Sequence, residues 1–273
     1  MNRRLAVFLL HAALVIGAAI TLAPLAWMIG ASLMKTGEAN TIPPPFWPAR
    51  PTLVHYIELF TRLDLARHFL ASALITTVAT VVSVAVNGLA GYAFAKLPFA
   101  GRDRLFGGLM LSLVVPAQVG MLPLFLLLRE LGFVNTYVGV MIPYCASIFG
   151  IFLVRQYALG VPDDLLDAAR VDGAGEVRIF LTVVLPIMKP ILVTLATFTF
   201  LSAWNDFMWP LIVLSDSARY TLPVALANLV GEHVQDTELM MAGSVLTVIP
   251  ALLVFLAFQR SYVRGILAGS VKG

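Results

Sequence analysis

Residues 69–95 read FLASALITTVATVVSVAVNGLAGYAFA, a run without one charged side chain. A bilayer core about 30 Å thick is crossed by about 20 apolar residues in a helix rising about 1.5 Å per residue. The run is long enough, with room for tilt. It lacks the strict apolar/polar alternation of barrel strands. In hydrocarbon the backbone must satisfy its own hydrogen bonds, and an unbroken apolar run does so as a helix.

Outward from this run, residues 5–31, 105–128, 137–154, 187–214 and 240–259 read the same way. Across the six segments the only acid is Asp206 and the only base is Lys189. Apolar residues make up 60% of the chain and charged residues 12%. A soluble domain carries about 25% charged residues, so this chain cannot cover a globular surface with polar groups. The expected fold class is all-α, a polytopic membrane protein with six transmembrane helices. The single cysteine, Cys145, excludes an intramolecular disulfide and a multi-cysteine metal site; inside an apolar run it acts as a small hydrophobe. Asn2, Arg3 and Arg4 precede the first run as in a secretory signal. A signal core spans about 7–15 residues, however, and this run reaches from Leu5 to Ala31, so an uncleaved span is expected.

Positive charge sets the direction. With the N-terminus inside, inner segments hold twelve Lys and Arg residues and the slightly longer outer loops hold six. The tight loop from Lys96 to Arg104 is the clearest marker, and both termini are expected to be cytoplasmic. The largest outer loop, 32–68, contains Pro43-Pro44-Pro45-Phe46-Trp47-Pro48, which favours extended backbone. Tyr56, Leu59, Phe60 and Leu63 then recur at helical spacing, as in a short connecting helix.

The inner loop after the fourth span begins Val161-Pro162-Asp163-Asp164-Leu165-Leu166-Asp167-Ala168-Ala169-Arg170-Val171-Asp172-Gly173. Pro162 suits a first turn, and Asp163 and Asp164 sit where the helix dipole is positive. Leu165, Leu166, Ala168 and Ala169 suggest one apolar face. Gly173 can take the left-handed conformation that ends a helix, and a second short helix is expected from about Gly175 toward Pro186. Many inner loops hold such helices simply at the water interface.

Asp167-Ala168-Ala169, Gly173, and then Val183, Leu185 and Pro186 resemble the hallmark of binding-protein-dependent permeases of ATP-binding-cassette importers. That hallmark is Glu-Ala-Ala, three residues, Gly, nine residues, then Ile-x-Leu-Pro, with Asp167 and Val183 as conservative departures. Pro51-Thr52-Leu53, Tyr92-Ala93-Phe94-Ala95-Lys96, Phe99-Ala100-Gly101-Arg102, Trp204-Asn205-Asp206-Phe207, Trp209-Pro210 and the ending Gly269-Ser270-Val271-Lys272-Gly273 extend the likeness, in order, over nearly the whole chain. The resemblance is to the carbohydrate group, in particular the maltose-type second permease subunit of type I importers.

The resemblance implies a division into a first helix and outer loop (1–68), a transport domain (69–260) whose coupling loop is 161–186, and a cytoplasmic tail (261–273). It implies that the loop helix seats in a separate ATPase dimer through Asp167, Ala168, Ala169, Arg170 and Gly173, with Leu185 and Pro186 completing the motif. Val271, Lys272 and Gly273 become candidate ATPase contacts of the tail. The implied partners are a second homologous permease, the ATPase dimer, an extracytoplasmic sugar-binding protein and membrane lipid; no nucleic acid and no cofactor are expected. The implied location is the cytoplasmic (inner) membrane. A phosphate-binding loop needs Gly-Lys, but the lysines follow Met34, Ala95, Met188 and Val271, so no ATP chemistry of that kind resides here.

Asp206 is the outstanding intramembrane charge, and such residues mark pathways or helix contacts. With Asn205 and Trp204 it can face a sugar, by hydrogen bonds and indole stacking, or fix packing. Asn87 and Gln118 are expected to bond between helices. Pro116, Pro123, Pro143, Pro190 and Pro210 can kink spans around a cavity. His11, His55, His68 and His233 are scattered and suggest no metal site. An ion-coupled secondary transporter is the alternative, although one buried acid is few for that chemistry.

Overall fold

A computed structural model describes residues 3–232 and 236–270, and among them every regular element is helical. Val7–Ser32, Leu65–Lys96, Tyr137–Ala158, Glu176–Asn205 and Thr237–Gln259 are each long and apolar enough to cross a membrane. In chain order the first of these belongs to α1 (Arg3–Ser32) and the second is α3 (Leu65–Lys96), with a connecting helix α2 (Val54–Thr61) between them. The three central spans differ from straight rods, each for a local reason.

The third expected span, 105–128, is two helices, α4 (Arg102–Ser112) and α5 (Ala117–Glu130), which meet at 105°. Pro116 stands at the break with extended backbone, φ −58° and ψ 134°. Its ring removes a donor and drives the residue before it out of the helical region. The fourth is α6 (Tyr137–Cys145) and α7 (Ile148–Ala158), with Ala146 and Ser147 extended between them. Asn87 holds this break to α3. Its Oδ1 accepts the Ser147 N–H at 2.9 Å, while its Nδ2 donates to the Ser83 carbonyl and hydroxyl, each at 2.8 Å. Gln118, expected in a similar role, is exposed.

The fifth span is displaced. It starts at α9 (Glu176–Ile179), passes a wide π-helical turn at Phe180–Val184 and continues as α10 (Leu185–Asn205), so the expected separate helix toward Pro186 is its first part. The wide turn precedes Pro186, whose missing N–H and ring do not suit a straight α-helix there. The expected continuation to 214 fails at Asp206, and Met208–Val213 forms a separate helix, α11. A Pro ring clashes with the carbonyl four residues back; from Pro210 that carbonyl is Asp206. As the third residue of α11, Pro210 loses no intrahelical bond. The chain then forms α12 (Leu222–Glu232) and α13 (Thr237–Ser270).

The chain comprises two compact units, Met1–Ala66 with Ala225–Pro250, and Arg67–Val224 with Ala251–Gly273. In the first, Ala31, Met34 and Ala39 are buried with Trp27 and Met241 against them. The Trp27 indole donates to the Pro45 carbonyl at 3.1 Å, and Glu238 accepts the Ala39 N–H at 2.7 Å. Along α1, residues 7–25 are exposed, Ala12 alone excepted. In the second unit α3, α7 and α10 pack around Tyr92, Val154, Ile179, Val184, Met188 and Leu195. Gly91 permits that approach, because a Cβ there would lie 2.4 Å from Val154 Cγ1.

Candidate functional site

The loop helix predicted from Pro162 onward exists as α8 (Asp163–Val171), with Pro162 as its N-cap. Its C-terminus closes as a Schellman turn: Ala174 N–H bonds the Ala169 carbonyl at 3.0 Å and Gly173 N–H bonds the Arg170 carbonyl at 2.9 Å. Gly173 takes φ +82°, with no neighbour within 4 Å of where its Cβ would stand. The expected single apolar face is in fact two. Leu166 is 1% exposed and belongs to the core of the bundle, with Ala169 against it. Leu165, Ala168 and Val171, spaced by three, point outward, and Val171 is 87% exposed. Consecutive residues lie about 100° apart around a helix, which separates Leu165 from Leu166. Burying one leucine side chain is worth about 1.5–3 kcal/mol, so Leu166 seats α8 firmly.

Charged tethers reinforce the seat. Lys96, at the end of α3, donates to Asp163 at 2.7 Å and to the Val161 carbonyl at 2.6 Å. Arg170 pairs with Glu176 and Asp167, each at 2.8 Å, and Glu176 also accepts the Tyr92 hydroxyl at 2.9 Å. Glu176 first, then Asp167, hold the Arg170 guanidinium well above its ordinary pKa, so it stays charged. The sequence singles out Asp167, Ala168, Ala169, Arg170 and Gly173 but not the contacts that Lys96, Tyr92 and Glu176 make with this loop. The i,i+4 spacing of Tyr92 and Lys96 puts both on one face at the end of α3 but does not identify their partners. Leu185 is half-buried against the core, and Pro186 is exposed at the start of α10. Val271, Lys272 and Gly273 lie outside the described residues.

Where α10 stops, a cavity of about 850 Å³ opens. Asn205 and Asp206 line it together with Tyr144, Ser202, Phe198 and Trp209. Asp206 is engaged: it accepts the Tyr144 hydroxyl, and its Oδ1 caps α11 by accepting N–H groups of Met208 at 3.0 Å and Trp209 at 3.3 Å. Trp204 is not among the lining residues. Its buried ring stacks on Phe200 at 5.9 Å and meets Phe69 edge-on at 5.5 Å. The indole that borders the cavity is Trp209, whose Nε1 donates to the Gly139 carbonyl at 3.2 Å.

The chain as a whole is matched by known proteins in sequence and in fold. A family profile, binding-protein-dependent transport system inner membrane component, covers residues 87–267. The arabinooligosaccharides transport system permease protein AraQ of Halalkalibacterium halodurans is 38% identical over 257 residues, spanning 93% of this chain and 92% of that protein. The lactose transport system permease protein LacG of Rhizobium radiobacter is 33% identical over 272 residues, spanning 100% and 98%. In fold, the chain matches a crystal structure of a bacterial ABC transporter involved in the import of the acidic polysaccharide alginate. That match has a TM-score of 0.83 at 23% identity and covers 95% of this chain and 98% of the other. The chain therefore belongs to the binding-protein-dependent inner membrane components, the permeases of ABC importers.

Proposed function

We propose that this permease carries a sugar across the inner membrane by alternating access, as one of two homologous subunits driven by a separate ATPase dimer. An extracytoplasmic binding protein delivers the sugar, both termini are cytoplasmic, and the chain supplies motion and passage rather than hydrolysis. Residues 1–68 anchor the transport domain 69–260, and the tail from 261, ending Val271-Lys272-Gly273, reaches the ATPase. The observation that carries this reading is the two-sided α8. Leu166 and the Lys96–Asp163 pair bind its inner side to the bundle, while Leu165, Ala168 and Val171 are left bare for a partner's cleft. A displacement of α8 must then move α3 and α10 with it. The names of the relatives support a sugar as cargo. The test is uptake of labelled arabino-oligosaccharides and lactose by the reconstituted complex. ATP-dependent uptake of either supports the reading; uptake that follows a proton or sodium gradient and ignores ATP rejects it.

In this reading Asn205 and Asp206 face the sugar, with Trp209 and Phe198 offering ring faces and Trp204 packing behind. A cavity of about 850 Å³ lies in the usual range of about 300–1,000 Å³ for small-molecule sites. Asp206→Asn keeps one oxygen for the α11 cap and presents its amide N–H to the Tyr144 oxygen, which can accept it, so folding should change by less than about 1 kcal/mol. Transport is expected to fall about tenfold or more if the carboxylate meets substrate. Wild-type uptake by a folded Asp206→Asn permease would reduce Asp206 to a packing residue.

A further inference from the structure

His55 on α2 is buried, its side chain 1% exposed. Its Nε2 lies 2.9 Å from the Met34 carbonyl oxygen. A carbonyl only accepts, so Nε2 carries a proton, and in the neutral imidazole Nδ1 is left with its lone pair. Among the described residues nothing hydrogen-bonds to that Nδ1, a condition that costs about 1–3 kcal/mol for a buried polar atom. It faces Asp236 Oδ1 at 3.8 Å, beyond hydrogen-bond length. Glu58, one turn along α2, completes the group: one ligand atom each from His55, Glu58 and Asp236 lie within 4.8 Å of one another. With Nδ1 unprotonated, three electron-pair donors face one another, an arrangement that a cation among them relieves.

We infer that His55, Glu58 and Asp236 bind one divalent transition-metal ion, Zn²⁺ by their donor chemistry. One imidazole nitrogen with carboxylate oxygens suits zinc, whereas calcium and magnesium favour oxygen alone. Tetrahedral zinc, with bonds of about 2.0–2.2 Å, needs ligand atoms roughly 3.4 Å apart, so the carboxylates must close by about an ångström. The side chains of Glu58 and Asp236, 26% and 21% exposed, have room to do so and leave a position for water. Glu58 Oε1 also accepts from Arg62 at 2.8 Å, and Asp236 Oδ1 accepts the Leu239 N–H at 2.9 Å. Each carboxylate keeps a second oxygen. The Met34 carbonyl on Nε2 fixes tautomer and ring orientation, the usual outer-sphere support of a metal-bound histidine. The ion clasps α2 to the start of α13, which on the proposed topology lies at the outer face.

The test uses the full-length, tag-free permease in nanodiscs, stripped with chelator and titrated with Zn²⁺ against a chromophoric competitor. Co²⁺ serves as the spectroscopic substitute. One equivalent of zinc, a tetrahedral cobalt spectrum and a zinc-dependent rise in thermal midpoint are expected. His55→Gln keeps a donor for Met34, and Asp236→Asn keeps the cap acceptor. Each should weaken zinc binding more than about tenfold and abolish the rise. Should His55→Gln fail to fold, Asp236→Asn and Glu58→Gln decide. A folded wild type that takes up no zinc, or binding unchanged in the folded variants, overturns the assignment. So does a midpoint that responds to pH but not to zinc, which marks a bare histidine–aspartate pair.

Discussion

Gly91→Leu is expected to eliminate the folded permease rather than slow it. A Cβ at this position would stand 2.4 Å from Val154 Cγ1 and 2.9 Å from the backbone nitrogen of Arg155. A side chain can rotate away but a backbone atom cannot, so α3 and α7 must separate. Separation opens the packing around Tyr92 and Val154 and pulls Asn87 from the Ser147 N–H, 2.9 Å away. Overpacking usually costs about 1–3 kcal/mol, and a lost buried hydrogen bond adds about 1–3 kcal/mol. Together these come to about 2–6 kcal/mol, which reaches the lower end of the 5–15 kcal/mol that is typical of whole domains. Membrane-extracted protein should lose its monodisperse peak and its thermal transition. Gly88→Ala is the control, because its Cβ would meet only Leu192 Cδ2 at 3.5 Å and Phe180 Cζ at 3.8 Å. Equal yields of Gly91→Leu and Gly88→Ala would show that the helices do not approach as described.

The second large effect falls on activity. Gly173 has open space around it but φ +82°, so Gly173→Leu adds no clash, only left-handed strain of about 1–2 kcal/mol. That strain exceeds what one terminal turn gains, and the Schellman closure by Ala174 and Gly173 is expected to open. Only the part-buried Ala169 and Ala174 of this turn pack against the core, so the bundle should persist, with normal insertion and a thermal midpoint lowered by no more than a few degrees. Sugar uptake is expected to drop about tenfold or more while the ATPase continues to turn over, since α8 no longer holds its angle to α9. Gly173→Asn discriminates strain from side-chain bulk, because Asn tolerates the left-handed region; it should retain most of the uptake. Normal coupling in Gly173→Leu would mean that the turn transmits nothing.

The helical membrane architecture was legible because it depends on sums: a charge-free run such as 69–95 has one solvent and one secondary structure open to it. Gly173 was legible because a single residue type fits its backbone. The breaks were harder. Hydropathy averages across Pro116 without registering a 105° bend, and Asp206 was placed mid-span although Pro210, four residues on, carried the signal for the stop. Leu165 and Leu166 look alike in composition and differ only in which side of α8 the bundle occupies. The tethers from Lys96 to Asp163 and from Tyr92 to Glu176 join residues 67 and 84 positions apart, and no local pattern encodes such pairings. Trp204 and Trp209 are interchangeable as letters; only packing shows that the second borders the cavity.

The bare length of α1 has an evolutionary consequence. Residues 7–25 are exposed apart from Ala12, and among the described residues none belongs to the buried clusters around Tyr92, Val140 or Met34. Within the chain, selection can then weigh only their summed greasiness and not their shapes, so one aliphatic residue substitutes for another at little cost. Drift among orthologues should be fastest there and slowest around Gly91 and Leu166, where shape decides.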